Sequence, residues 1–316
     1  MSSESMKLPL IELSNLEKDD SSRWESTKIQ VREALQEYGC FEATFDHIPL
    51  ELLKSVSDVT QQLFNVPLPN KLRNITHKPY HGYVGQNPFV PLFESMGIDG
   101  ALSPHVVDTF TNLMWPDQGN PTFSKDIRLY CEKLSELDKI VRQMVVESLG
   151  LESYIDEHMN STDYVCRFQI YEAPRSPHPT IGMVPHTDKN IITTLHQLNH
   201  VNGLQILTKD GKNWIPADPT SLNSFVVMLG TSFHAWTNGR LHAPYHRVLV
   251  SGDEARYSIG LFSNPKEGCV IEAPSELVDE DHPLLYKPFN HIKFMDFYYS
   301  DAGRTSPDAL QEYCGV

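Results

Sequence analysis

Pro185-His186-Thr187-Asp188, then His246-Arg247-Val248, then Arg256-Tyr257-Ser258 are the stretches on which the reading of this chain turns. Two imidazoles and one carboxylate gathered on one side of a metal ion leave its other side open, which is the ligand set of a non-haem iron oxygenase. The tripeptide alone carries little. With 14 His and 20 Asp among 316 residues, about one His-x-Asp arises by chance, and one is present. The weight lies in the order: a third candidate ligand 60 residues on, then an Arg-x-Ser starting ten residues later, all within strand-like sequence.

His186 and Asp188 are two apart, so on a strand they point to one face, and His246 must come from a neighbouring strand. Two neutral imidazoles and a carboxylate leave a divalent ion positively charged with three open positions, two for a bidentate keto acid and one for dioxygen. Zinc on the same three ligands is the hydrolase alternative. The chain has no His-Glu-x-x-His to supply the general base of that chemistry, although affinity order leaves zinc able to occupy the ligands. Arg256 and Ser258 also share a strand face. A guanidinium binds a carboxylate through two parallel hydrogen bonds, and the hydroxyl adds a donor. Tyr171, 15 residues before His186, is positioned to add another from an adjoining strand.

Composition narrows the partners. Lys and Arg total 26 against 41 Asp and Glu, a formal net charge of −15, which repels phosphate backbones and anionic lipid. Nucleic acid and membrane are therefore not expected partners, and a small-molecule substrate is. Oligomeric state is not legible. No apolar run reaches the length of a membrane helix, and the start Met1-Ser-Ser-Glu-Ser-Met-Lys lacks the basic and apolar regions of a secretory leader. The five scattered cysteines form no Cys-x-x-Cys pair, which fits reduced thiols and a cytoplasmic location.

Helical periodicity dominates the first half. Ser22 to Tyr38 reads as a helix stopped by Gly39, Pro49 opens a second, and Ser124 to Leu149 is the clearest. Residues 78–121, rich in proline, read as irregular. From about residue 155 the pattern turns to short strands: Tyr164 to Tyr171, Ile191 to Leu195, Gly203 to Leu207 with Trp214 to Ala217 across a Lys-Asp-Gly-Lys turn, Ser224 to Leu229, Val248 to Val250 and Tyr257 to Phe262. A short helix is expected after Ile292. The expected fold is mainly β with flanking α: a double-stranded β-helix, or jelly roll, with an N-terminal helical layer. We divide it as residues 1–155, a mixed α/β region packing on the core; 156–300, the jelly-roll core; and 301–316, a C-terminal tail. With no linker-like segment between them, these make one folded unit.

These residues resemble the plant soluble 2-oxoglutarate- and iron(II)-dependent dioxygenases. The resemblance runs nearly end to end, taking in Leu8-Pro-Leu-Ile-Glu-Leu13, Glu37-Tyr-Gly-Cys-Phe41 and Asn202-Gly-Leu-Gln-Ile-Leu207. Phe93-Glu-Ser-Met-Gly-Ile-Asp99 and His282-Pro-Leu-Leu-Tyr-Lys-Pro-Phe289 resemble the branch holding glucosinolate side-chain dioxygenases, auxin-oxidising dioxygenases and steroidal-alkaloid hydroxylases. The resemblance implies iron(II) on His186, Asp188 and His246, and 2-oxoglutarate held by Arg256, Ser258 and Tyr171. It implies oxidation, chiefly hydroxylation, of a small plant metabolite or hormone, with succinate and carbon dioxide as co-products and ascorbate as a supporting reductant. Where relatives carry Asn-Tyr-Tyr-Pro, this chain has Gln169-Ile170-Tyr171-Glu172. Tyr80, Phe93, Phe262, Phe297 and Tyr298 are the candidates for the prime substrate, and an aromatic mouth favours a flat organic molecule. Two alternatives stand beside this reading: an iron(II) oxidase of the same fold that uses no keto acid, and a non-catalytic small-molecule binder.

Overall fold

Proline and glycine punctuation sets the helices of the first half. In the computed structural model, which describes residues 6–14, 16 and 21–316, α1 spans Ser21–Glu37 and α2 spans Leu50–Phe64. A short α3 covers Leu68–Lys71. Residues 1–5 of the N-terminal stretch read above lie outside the described residues. Ahead of these helices and between them run β1 (Leu10–Glu12) and β2 (Cys40–Thr44). The segment expected to be irregular holds β3 (Phe93–Asp99) and α4 (Pro104–Met114). That expectation is corrected: β3 carries Glu94, Ser95, Gly97 and Asp99, whose weak β propensity hid it, and Pro104 opens α4 rather than breaking it. The long α5, Pro121–Ser148, starts where the Asn120 side chain caps the Phe123 amide at 3.0 Å.

After α6 (Ile155–Asn160) the chain is mostly strand: β4 (Thr162–Tyr171), β5 (Thr180–His186), β6 (Ile192–Gln197), β7 (Leu204–Leu207), β8 (Trp214–Pro216) and β9 (Ser224–Leu229). A short α7 (Thr231–Trp236) leads to β10 (His246–Val250) and β11 (Arg256–Pro265). The remaining elements are β12 (Val270–Ile271), β13 (Phe289–Asn290), α8 (His291–Tyr299), α9 (Asp301–Thr305) and α10 (Ala309–Cys314).

Two sheets face each other. One has seven strands in the order β1-β2-β9-β6-β11-β4-β3, so strands of the first hundred residues sit at both its edges; the other runs β5-β10-β7-β8. This is the jelly roll with flanking helices that the strand pattern predicts. Strand alternation divides the large sheet. Tyr164, Cys166, Phe168 and Ile170 of β4 join Phe225, Val227, Ile259 and Leu261 under α5. Tyr171, Leu195, Val226 and Met228 face Leu204, Ile206, Val248 and Val250 of the smaller sheet. A fully buried ionic cluster fixes α5 to β4. Arg142 donates to Asp138 at 2.9 Å, to Thr162 at 2.7 Å and to Tyr164 at 3.1 Å, and Tyr164 donates to Asp138 at 2.7 Å. Every arm of that guanidinium is engaged, which is the condition under which a buried charge is tolerated.

Candidate active site

β10 pairs antiparallel with β5, and His246 stands directly opposite His186. The two rings lie 4.2 Å apart, centroid to centroid. Asp188 Oδ1 is 3.8 Å from Nε2 of each histidine, and one ligand atom from each of the three residues lies within 4.8 Å of the others. His186 Nδ1 sits 2.9 Å from the Val184 carbonyl oxygen, and His246 Nδ1 3.4 Å from that of Pro244. Those carbonyls take the Nδ1 protons and leave both Nε2 lone pairs facing the carboxylate.

One detail departs from the sequence reading. β5 ends at His186, so Asp188 lies in the following loop and not on the strand. The loop is held from several sides. Thr193 Oγ1 donates to Asp188 Oδ2, and the Thr231 amide and hydroxyl both donate to the Asp188 carbonyl at 2.8 Å. Gly230 is required beside it: a Cβ there would lie 2.1 Å from the Asn190 carbonyl oxygen. Burial, with the neighbouring His246, drives the His186 pKa down to about 3, keeping the imidazole neutral. Burial pushes the Asp188 carboxyl up, but His246, His186 and the Thr193 hydrogen bond outweigh it and hold the group below the usual carboxylate range.

Arg256 begins β11 opposite Tyr171 of β4 and is 1% exposed. It donates to Ser258 Oγ at 3.1 Å and Gln197 Oε1 at 3.3 Å, its guanidinium lies 5.7 Å from the Tyr171 ring, and its Nε–H has no partner. Among the described residues Asp218 is the one carboxylate whose charge reaches it, and no ion pair joins them. Ser258 in turn donates to Gln169 at 3.2 Å. Gln169 and Gln197, which the sequence reading did not assign, thus complete the polar wall around Arg256. Period two was the signal for Gln169, which is two residues before Tyr171 on a strand already recognised, whereas Gln197 lies past the end of the strand read from sequence.

One cavity of about 260 Å³ joins these groups, bounded by His186, Asp188 and His246 and by Arg256 and Tyr171. Tyr80, Phe93, Phe262 and Tyr298 line it. Phe297 does not, and that candidate is corrected. Neighbours on a helix diverge by about 100°, so on α8 Tyr298 faces the cavity while Phe297 packs on Tyr313, 5.2 Å away, in the C-terminal cluster. Arg167, Lys189 and Tyr299 also wall the cavity and were missed.

The family model of the 2OG-Fe(II) oxygenase superfamily matches residues 159–265, and that of the N-terminal region of non-haem dioxygenases in morphine synthesis matches residues 8–90. Over 315 residues the chain is 47% identical to the probable 2-oxoglutarate-dependent dioxygenase AOP1.2 of Arabidopsis thaliana, covering 98% of this chain and 96% of that one. The chain belongs to the 2OG-Fe(II) oxygenase superfamily. This oxygenase is also 34% identical to the 2-oxoglutarate-dependent dioxygenase AOP3 of A. thaliana, with 100% of this chain and 99% of the relative covered. Among solved structures it resembles rice dioxygenase for auxin oxidation, with a TM-score of 0.80, 28% identity and coverage of 98% and 100%. It also resembles A. thaliana dioxygenase for auxin oxidation 1 bound to 2-oxoglutarate, with a TM-score of 0.78, 27% identity and coverage of 87% and 99%. The oxygenase is an enzyme that depends on iron(II) and 2-oxoglutarate. No helix among its described residues is long and apolar enough to cross a membrane.

Proposed function

We propose that His186, Asp188 and His246 hold the ferrous ion, and that Arg256, Ser258 and Tyr171 bind the far carboxylate of 2-oxoglutarate. The observation carrying this reading is a buried guanidinium with no carboxylate paired to it, in the same cavity as two imidazoles and one carboxylate. A charge buried without its counter-ion is costly, so a site that keeps one is built for a ligand that supplies the opposite charge. The donor set suits ferrous iron: two neutral nitrogens, one carboxylate oxygen and an open side. When bound, iron supplies oxygen activation coupled to 2-oxoglutarate decarboxylation, yielding succinate, carbon dioxide and an oxidised substrate. The protein's own part is positional. The Val184 and Pro244 carbonyls orient the imidazoles, Thr193 fixes the carboxylate, Arg256 and Ser258 orient the keto acid, and the aromatic walls keep water out.

The cavity size and its ring-bearing walls support a small organic metabolite or hormone as prime substrate, with hydroxylation as the outcome and ascorbate as supporting reductant. The five unpaired cysteines, four of them buried, support a cytoplasmic location, and the charge of −15 supports the absence of a nucleic-acid partner. Strands from the first hundred residues at both edges of the large sheet support one folded unit with the boundaries given above. The test is succinate release from 2-oxoglutarate with ferrous iron under air, abolished by chelation. Oxygen uptake that persists without 2-oxoglutarate overturns the reading in favour of a keto-acid-independent oxidase. Ligand binding with neither oxygen uptake nor succinate indicates the non-catalytic binder.

A further inference from the structure

We propose that the prime substrate of this oxygenase is an organic acid and that Arg167 is the residue that binds its carboxylate; the proposal rests on the oxygenase reading above. Arg167 lies on β4, on the same face as Gln169 and Tyr171, and walls the cavity while only 6% exposed. Nη2 donates to Ser95 Oγ at 2.5 Å, while Nη1 is buried with no hydrogen-bond partner. Among the described residues the one carboxylate whose charge reaches it is Asp188, which faces the two histidines.

Arg142 is the internal control. It is buried more deeply still and also packs against β4, but all its arms are met by Asp138, Thr162, Tyr164 and the His158 carbonyl. A purely structural arginine in this fold is therefore fully paired, and Arg167 is not. Nor does Arg167 duplicate Arg256. Arg256 stands opposite Tyr171, four residues further along β4, which separates the two registers by about 13 Å of strand.

The surroundings are built to keep that guanidinium in place. The Tyr80 ring lies 5.4 Å from it and stacks on Tyr299 at 5.3 Å. Tyr80 adopts φ +62°, a conformation uncommon for a non-glycine residue. Opposite Arg167 on β3 stands Gly97, where a Cβ would lie 2.3 Å from the His81 carbonyl oxygen, so glycine lets the Tyr80-His81 backbone close over the arginine. Charge completes the argument. With Asp188 and the near carboxylate of 2-oxoglutarate a ferrous ion is balanced, and the far carboxylate of 2-oxoglutarate balances Arg256. Arg167 is left over, whereas Lys189 bonds Thr187, lies over the Tyr298 ring and feels the charges of Asp188 and Asp308. A substrate with an apolar, ring-bearing body and one carboxylate meets this combination of cation and aromatic wall.

The test uses a panel of aliphatic, alicyclic and aromatic carboxylic acids, each paired with its primary amide, on the iron- and 2-oxoglutarate-loaded enzyme. Stimulation of succinate release is read under air, and thermal stabilisation under nitrogen. The acids that act should do so at least tenfold more effectively than their amides. Arg167→Met should erase that difference and raise the KM for the acid at least tenfold, with the KM for 2-oxoglutarate within twofold; Arg167→Lys should restore part of the preference. Amides equal to acids in the wild type, no active acid in the panel, or an acid preference surviving Arg167→Met would overturn the proposal. The wild-type comparison needs no variant, so a folding defect at residue 167 cannot mask the answer. Failure of iron-dependent 2-oxoglutarate turnover in the wild type would instead remove the oxygenase reading, which is a separate result.

Discussion

Replacing Arg256 with Met separates a ligand anchor from a structural residue, because the two roles give opposite signs. The guanidinium is fully buried, bonds only Ser258 and Gln197, and leaves its Nε–H unpaired. Without ligand it is an uncompensated charge, and exchanging such a group for an apolar side chain of similar length is neutral or stabilising. The apo Arg256→Met variant should melt at or above the wild-type temperature. With 2-oxoglutarate the sign reverses. Removing one partner of a buried ion pair costs about 3–5 kcal/mol, which corresponds to roughly 150- to 4,000-fold weaker binding. At a concentration 100 times its wild-type Kd, the keto acid stabilises wild type by about 2.7 kcal/mol, and a variant with 150-fold weaker binding by about 0.3 kcal/mol. Melting curves of the iron-loaded protein with and without 2-oxoglutarate, run beside succinate kinetics, measure both. A KM for 2-oxoglutarate within threefold of wild type, or a lower apo melting temperature with the ligand shift intact, would refute the reasoning.

Three further outcomes follow from the geometry. Thr193→Val removes the hydroxyl that steadies Asp188 and should weaken iron binding roughly 10- to 100-fold, read by competition with a chelator; unchanged affinity would mean the hydrogen bond plays no part. Gly230→Ala places a Cβ against the Asn190 carbonyl and should destabilise the fold by about 1–3 kcal/mol while lowering iron affinity, because the displaced loop carries Asp188; a normal melting temperature contradicts this. Burial lowers the pKa of His196 to about 4, and burial, with His81 and Lys78, that of His291 to about 3. The unfolded chain takes up these protons below its ordinary histidine pKa and the folded chain does not. Stability is therefore full above about pH 6.5 and falls with decreasing pH, by up to ~1.4 kcal/mol per pH unit for each histidine between pH 6 and 5. Urea midpoints across that range test it, and His196→Phe should flatten the slope by close to one proton.

Much of this protein was legible in one dimension. Gly39, Pro49 and the long apolar stripe from Ser124 mark helices because backbone restriction and the 3.6-residue period act locally. The strands from residue 162 onward show their period of two, and the spacing of His186, Asp188, His246 and Arg256 named residues that the fold gathers around one cavity, with Ser258 buried behind it and bonded to Arg256. What pairing decides was not legible. β3 reads as irregular because its polar residues are stabilised by hydrogen bonds to β4, a partner over sixty residues away. Asp188 leaves the strand because Thr193, Gly230 and Thr231 shape its loop, and Phe297 turns from the cavity because the C-terminal cluster supplies a better apolar contact. Arg142 and Arg167 are the same residue type, and sequence cannot tell them apart. One is neutralised by a carboxylate four residues back on its own helix, while the other faces a space. Local backbone preference and residue chemistry are written along the chain, whereas the presence or absence of a counter-charge is set only when distant strands close around a side chain.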